Sequence, residues 1–261
     1  MDSPQRKKTV PPQPSAPGDI ARFGPDETVI SVWPQPPRRE GGLYPRVGKR
    51  IIDTVGALVG LVITSPVLLL CAVAVRLDSR GPVFFRQRRV GQYGRTFQIF
   101  KFRTMFDSTD KNGSKLTAFG DARITKVGKI LRMTKLDEIP QLVNVVRGEM
   151  SLVGPRPEVP EYTEKYTLKE RKVLEVRPGI TGPASLAYID EEQILAAAAD
   201  RERFYVNTIM RRKLRFDLAY CRNVCLLGDA RIIIRTGGSL VGLRFSRQRD
   251  DLGASRASER S

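Results

Sequence analysis

The feature that most constrains this chain is the run Ile51–Val75, IIDTVGALVGLVITSPVLLLCAVAV, which spans 25 residues and carries one charge, Asp53. A helix crossing the hydrocarbon of a bilayer needs about 20 apolar residues, so the length suffices. Three details complicate a plain span. Pro66, preceded by Ser65, lies near the middle. Proline removes a backbone donor and clashes one turn back, which kinks a helix. Asp53 lies inside the N-terminal end, and both flanks are cationic, with Arg46, Lys49 and Arg50 before the run and Arg76 and Arg80 after it. Positive charge stays on the cytoplasmic side. Cations at both ends therefore predict a kinked hairpin, broken at Ser65–Pro66, that enters and leaves the membrane on one face. A straight transmembrane helix and a buried helix of a soluble core are the alternatives. A secretory signal fits poorly, because the run starts at residue 51 and is too long for a signal-peptide core.

Composition matters next for what it excludes. The chain has no histidine, which removes Ser–His and Cys–His nucleophile pairs and imidazole-ligated metals. Its three cysteines, Cys71, Cys221 and Cys225, fit no zinc spacing and read as packing residues of a reducing compartment. Lys and Arg number 45 against 28 Asp and Glu, a net charge of +17 that points to phosphates, nucleic acid or an anionic membrane surface as partners. Residues 1–45 hold ten of the 18 prolines without apolar periodicity and read as a disordered leader. Residues 243–261 read as a second disordered tail.

After the apolar run comes GPVFFRQRRVGQYGRTFQIFKFRTM, from Gly81 to Met105. Gly91 and Gly94 bracket a turn between β-prone flanks, which predicts a β-hairpin. From Arg76 to Arg103 there are eight Lys or Arg and one acid, Asp78. Aromatics interleaved with cations suit RNA or a lipid headgroup region, and the adjoining apolar run favours lipid.

The densest stretch is Arg132–Glu158, RMTKLDEIPQLVNVVRGEMSLVGPRPE. Pro140 favours a helix first turn and Gly148 a helix stop, so a helix is expected over Pro140–Arg147. Asp137 and Glu138 then stand at its N-terminus, where Asp137 is either a simple cap or a reactive group. Pro155 and Pro157 hold the chain extended around Arg156, whose fork of donors suits phosphate; a rigid surface loop is the plainer alternative. An aspartate nucleophile needs no base, being ionised at neutral pH. A second acid holding a divalent ion would complete a site for phosphoryl transfer.

Several long stretches in the same order resemble the bacterial sugar transferases, the monotopic polyprenol-phosphate phosphoglycosyl transferases. They are KRIIDTVGA, the Ser65–Pro66 pair, the 81–105 stretch, KLDEIPQLVNVVRGEMSLVGPRPE, VRPGITGP and KLRFDLAYCRN. The resemblance covers about 46–237. It implies that Asp137 and Glu138 are the catalytic pair. Asp137 would attack the β-phosphate of a UDP-sugar and release UMP, and Glu138 would bind Mg²⁺. Polyprenyl (undecaprenyl) phosphate would then take the phosphosugar from the aspartate, initiating exopolysaccharide or another surface glycan. Arg156, Arg177, Lys101, Arg103, Lys213 and Asp217 are the expected substrate- or phosphate-binding residues. Lys213, Asp217 and Tyr220 share one helical face by their spacing, as in a similar family stretch placed near the nucleotide; an ion-paired surface helix is the alternative. The implied partners are the UDP-sugar, the polyprenyl phosphate and the lipid bilayer, without nucleic acid, and a homodimer is compatible.

The resemblance implies an α/β, mostly helical fold on the cytoplasmic face of the bacterial inner membrane. A re-entrant helix would occupy 46–80. A catalytic domain over 81–242 would carry a small β-hairpin and interfacial amphipathic helices. The sequence departs from the family in one place. Many members follow PGITG with Trp or Leu, then Gln and an Asn-Gly-Arg segment; here the text is PASLAYIDEEQILAAAAD. The rival reading of the whole chain is a membrane-tethered basic protein that binds anionic lipid or nucleic acid.

Overall fold

A long helix and two small sheets organise the chain. The computed structural model describes residues 44–106 and 121–239, all within one compact unit. The expected leader, apart from its last two residues, and the tail over 243–261 lie outside the described residues.

Helix α1, Lys49–Asp78, is a single helical element of 30 residues that continues through Pro66. Its length and apolarity suit a membrane, and little of its most apolar window is buried against the protein. The sequence predicts a break at Ser65–Pro66; what is present is a local repair. Pro66 has no N–H for the carbonyl of Val62, and the Ser65 hydroxyl donates to that oxygen instead, at 2.8 Å. Thr64 donates likewise to Gly60, at 2.7 Å. Such back-bonds bend helices.

Both ends of α1 pack on the rest of the chain. Ala57, fully buried, clusters with Phe97, Ile99, Val145 and Met150. Cys71 and Val75 cluster with Phe102 and Leu131. Between these contacts, Val62, Ile63 and Leu70 are each at least 70% exposed.

The predicted hairpin is present. Strands β1, Phe84–Val90, and β2, Thr96–Phe102, pair antiparallel from Phe84↔Phe102 to Val90↔Thr96. The turn needs positive φ at Tyr93 (56°) and Gly94 (75°), the latter a conformation glycine adopts without steric cost. Helix α2, Lys126–Thr134, is capped by the Thr125 hydroxyl, which accepts from the Gly128 N–H. Helix α3, Leu142–Arg147, ends at Gly148 with φ +82°, the stop expected from sequence. Its start is the correction. A tight helical turn already begins at Leu136 and runs to Gln141, so Asp137 and Glu138 lie inside helical backbone and not before it. From α3, the buried Asn144 accepts from Phe100 N–H and donates to the Gln98 carbonyl, tying the helix to β2.

Strand β3, Ser151–Val153, was not foreseen. Beyond it lie α4 (Pro160–Thr163), β4 (Gly179–Thr181), α5 (Pro183–Ala187), α6 (Glu191–Ala196), α7 (Arg201–Phe204) and α8 (Met210–Arg222). A final helix, α9, starts at 226 and is described through 239. β3 pairs parallel with β4. The two backbones meet so closely that a Cβ on Gly179 would lie 2.0 Å from the Gly154 nitrogen, which explains the glycine of VRPGITGP. Tyr162, Tyr205, Ile209 and Leu214 form the core under α8.

Candidate active site

The arm carrying Arg156 is fixed from several sides. On the β4 side, Gly154 N–H donates to the Thr181 carbonyl at 2.9 Å and Gly179 N–H to the Pro155 carbonyl at 2.8 Å. On the β1 side, Val90 N–H donates to the Glu158 carbonyl at 2.9 Å, and the Arg89 guanidinium to the Pro157 carbonyl at 3.1 Å. From α1, Asp53 accepts from Leu152 N–H at 3.1 Å and from the Ser151 hydroxyl at 2.7 Å. The lone charge of the apolar run is therefore a tether between α1 and the arm.

The arm delivers Arg156 to Glu138. The guanidinium donates to both carboxylate oxygens, at 2.5 and 3.1 Å, and Lys101 from β2 donates to Oε1 at 2.8 Å. Burial pushes the Glu138 carboxyl up, but Arg156 and Lys101 outweigh it and hold the group well below the usual carboxylate range. Asp137 next door is in the opposite state. It is 7% exposed, and its Oδ1 has no hydrogen-bond partner. Burial, helped by the Glu138 charge, raises its pKa to about 6. Asp137 thus caps nothing. At pH 7 its carboxylate form prevails, with one oxygen unpaired.

A cavity of about 460 Å³ opens beside this pair. Glu138, Arg156, Lys135 and Ile139 form one part of its wall; Asp137 itself is not a wall residue, though its sequence neighbours are. Toward α1 the wall is Thr64, Leu142, Ile180, Thr181 and Thr236. Away from it the wall is charged, with Arg89, Glu158, Glu191, Glu192 and Lys213 beside Tyr205. Lys213 is bonded to Glu191 at 2.8 Å and lies 3.7 Å from Glu158. Burial works against its charge and the two acids raise its pKa overall.

The expected site residues divide. Glu138, Arg156 and Lys213 line the cavity, and Lys101 reaches it through Glu138. Arg103 does not: its guanidinium donates to the carbonyls of Ser79 and Arg80, at 2.7 and 2.9 Å, and so satisfies the end of α1. Arg177 donates to the Gly148 carbonyl at 3.1 Å and is not a wall residue. Asp217 is buried off the cavity, where it accepts from Ala184 N–H, and burial pushes it up to about 7. Arg89, Glu158 and Tyr205 were missed. The sequence signal for Glu158 is its place directly after Pro157; Arg89 needs the hairpin register.

For Mg²⁺, the donor set fits modestly. No group of three or more potential ligands exists among the described residues, but Mg²⁺ is often held by one or two carboxylates plus substrate phosphates. Three hydrogen bonds occupy Glu138 out of about four acceptor positions, and Asp137 Oδ1 is open.

Residues 44–242 match the family described as bacterial sugar transferase. A protein of Caulobacter vibrioides named UDP-glucose:undecaprenyl-phosphate glucose-1-phosphate transferase is 38% identical over 234 residues, covering 84% of this chain and 78% of its own length. One of Aeromonas hydrophila named UDP-N-acetylgalactosamine-undecaprenyl-phosphate N-acetylgalactosaminephosphotransferase is 37% identical over 191 residues, covering 72% of this chain and 42% of its own. An undecaprenyl-phosphate glucose phosphotransferase of Komagataeibacter xylinus is 36% identical over 228 residues, covering 83% of this chain and 39% of its own, so the chain spans well under half of these last two relatives. With a match over residues 44–242, and relatives of this similarity, the chain belongs to the bacterial sugar transferase family.

Proposed function

We propose that this protein moves a phosphosugar from a UDP-sugar to polyprenyl (undecaprenyl) phosphate and releases UMP, at the cytoplasmic face of a bacterial inner membrane, as the opening step of a surface glycan such as an exopolysaccharide. The observation that carries the reading is the contrast within one acid pair. Glu138, in the cavity wall, is locked by two cations, while Asp137 next to it in sequence keeps a buried, unpaired oxygen. The relatives' named reactions agree with it.

In the first half, the Asp137 side chain turns toward the cavity and an oxygen attacks the β-phosphorus. The bond from that phosphorus to the bridging oxygen breaks, and UMP leaves with the electron pair. The phosphosugar stays on the aspartate. In the second half, an oxygen of the polyprenyl phosphate attacks the same phosphorus, the acyl-phosphate bond breaks, and Asp137 is regenerated as a carboxylate. Arg156, fixed on its stiff arm, orients phosphate oxygens and offsets their charge. Bound Mg²⁺, held by Glu138 and the donor's phosphates, would supply further charge neutralisation.

The re-entrant path of α1 has physical support. Ala57 and Val75 are 18 residues apart in one helix, about 27 Å if straight. The clusters they join both draw on β2, at Ile99 and at Phe102, about 10 Å apart along a strand. A bend at Ser65–Pro66 brings the two ends to one face and leaves the exposed middle for lipid. Exposed Ile130 and Met133 on α2 and Leu227 and Ile234 on α9 suit the bilayer surface.

The test is turnover of Asp137→Asn in membranes. We expect UMP release to fall by at least ~10³-fold, since the nucleophile is removed, with membrane association kept, and a phosphosugar adduct on Asp137 of the native enzyme by mass spectrometry. Full UMP release by Asp137→Asn would overturn the covalent route.

A further inference from the structure

The stretch 185–192 supplies part of the cavity wall. Ser185, Tyr188, Glu191 and Glu192 all stand in the wall. The Ser185 hydroxyl is buried and has no hydrogen-bond partner. Glu191 is held at Oε2 by Lys213, and Glu192 at Oε1 by Arg132. A carboxylate offers about four acceptor positions, so both wall residues keep acceptor capacity beyond these bonds. Glu191 also acts on the charge of Arg156, which places this wall within electrostatic reach of the phosphate clamp.

We infer that the wall formed by Ser185, Glu191 and Glu192 recognises the hydroxyl groups of the donor's sugar and sets which sugar is used. The inference rests on the proposed reaction and refines it. The phosphorus under attack is bonded directly to the sugar, so the sugar must lie beside Glu138 and Arg156, where this wall begins. The wall is rich in acceptors. A hexose presents several O–H donors to it; the nucleoside presents two ribose hydroxyls and one uracil N–H, and lies beyond the second phosphate from the sugar. A hydroxyl left unpaired in a buried wall is costly unless a ligand pairs with it, and Ser185 is such a group. The relatives differ in the sugar they are named for, glucose or N-acetylgalactosamine, so the choice of sugar varies among proteins of this similarity.

The experiment uses the full chain in membranes with undecaprenyl phosphate and Mg²⁺. Initial UMP release is measured for UDP-glucose, UDP-galactose, UDP-N-acetylglucosamine and UDP-N-acetylgalactosamine. Ser185→Ala should change the kcat/KM ratio between the best and second-best sugars by about tenfold, the scale of one hydrogen bond to a hydroxyl, while inhibition by UMP alone stays as in the native enzyme. Glu192→Gln, at a half-exposed carboxylate, gives a second reading that does not depend on the fold tolerating Ser185→Ala. An equal loss for all four sugars, or weaker UMP inhibition with the ratios unchanged, would overturn the inference and leave the reaction standing. Native enzyme that released UMP from none of the four would sink the proposed reaction itself, and this inference with it.

Discussion

Two buried carboxylate regions of this protein follow opposite rules. At the foot of α1, Asp229 accepts from the Tyr44 hydroxyl and Lys49 through one oxygen, at 2.6 Å each, and from the Tyr220 hydroxyl through the other, at 2.8 Å. Asp53 beside it is likewise bonded at both oxygens. Every carboxylate oxygen there has a partner, as buried acids require. Next to Glu138, Asp137 is buried to a similar degree and leaves Oδ1 without one. Asp217 Oδ1, off the cavity, is unpaired as well, so what sets Asp137 apart is an unpaired oxygen on the residue next to the doubly paired Glu138.

The largest expected effect that sharpens this contrast is on stability. Asp229→Asn removes the closer of the two acids paired with Lys49 and leaves only Asp53, at 3.7 Å; it should destabilise the protein by about 2 kcal/mol, seen as a lower midpoint in thermal unfolding. Asp137→Asn should not. The Asp137 pKa is raised from 3.8 to about 6 in the folded chain. Its contribution to stability is present below the unfolded value and lost as pH rises through about 6. Removing the charge at pH 7 should therefore leave the unfolding midpoint unchanged or higher. A matching drop in both variants would erase the distinction.

Next in size is the pH dependence of the first half-reaction. In the proposed reaction the attacking form is the carboxylate, so single-turnover UMP release should be flat above about pH 7 and fall about tenfold per unit below pH 6. An Asp137 with an ordinary carboxylate pKa would hold its rate down to about pH 4. The smallest effect belongs to Ser65→Ala. It leaves the Val62 carbonyl beside Pro66 without a donor and should cost about 1 kcal/mol, readable as a lower unfolding midpoint in detergent.

What was legible in the sequence was what is local in the chain. Asp137–Glu138, Pro155–Arg156–Pro157, the Gly91–Gly94 turn and the Gly148 stop are each short contiguous patterns with their own physics. Pairings made across the fold were not. Lys101 and Arg103 are two residues apart and chemically alike, yet one meets Glu138 and the other the end of α1. Lys213 and Asp217 share a helix face, but only Lys213 reaches the cavity. The early start of the helical turn at Leu136 was hidden because Pro140 looks like a first-turn residue. Strand β3 was hidden because three residues carry no period.

The bonds from Asp53 to Ser151 and Leu152 have a practical consequence for anyone preparing this protein. Trimming away the greasy segment to obtain a water-soluble fragment would also cut the stay that steadies the arginine three residues beyond the strand. Anchor and catalyst share one joint, and a preparation that discards the first should be expected to have a loosened second.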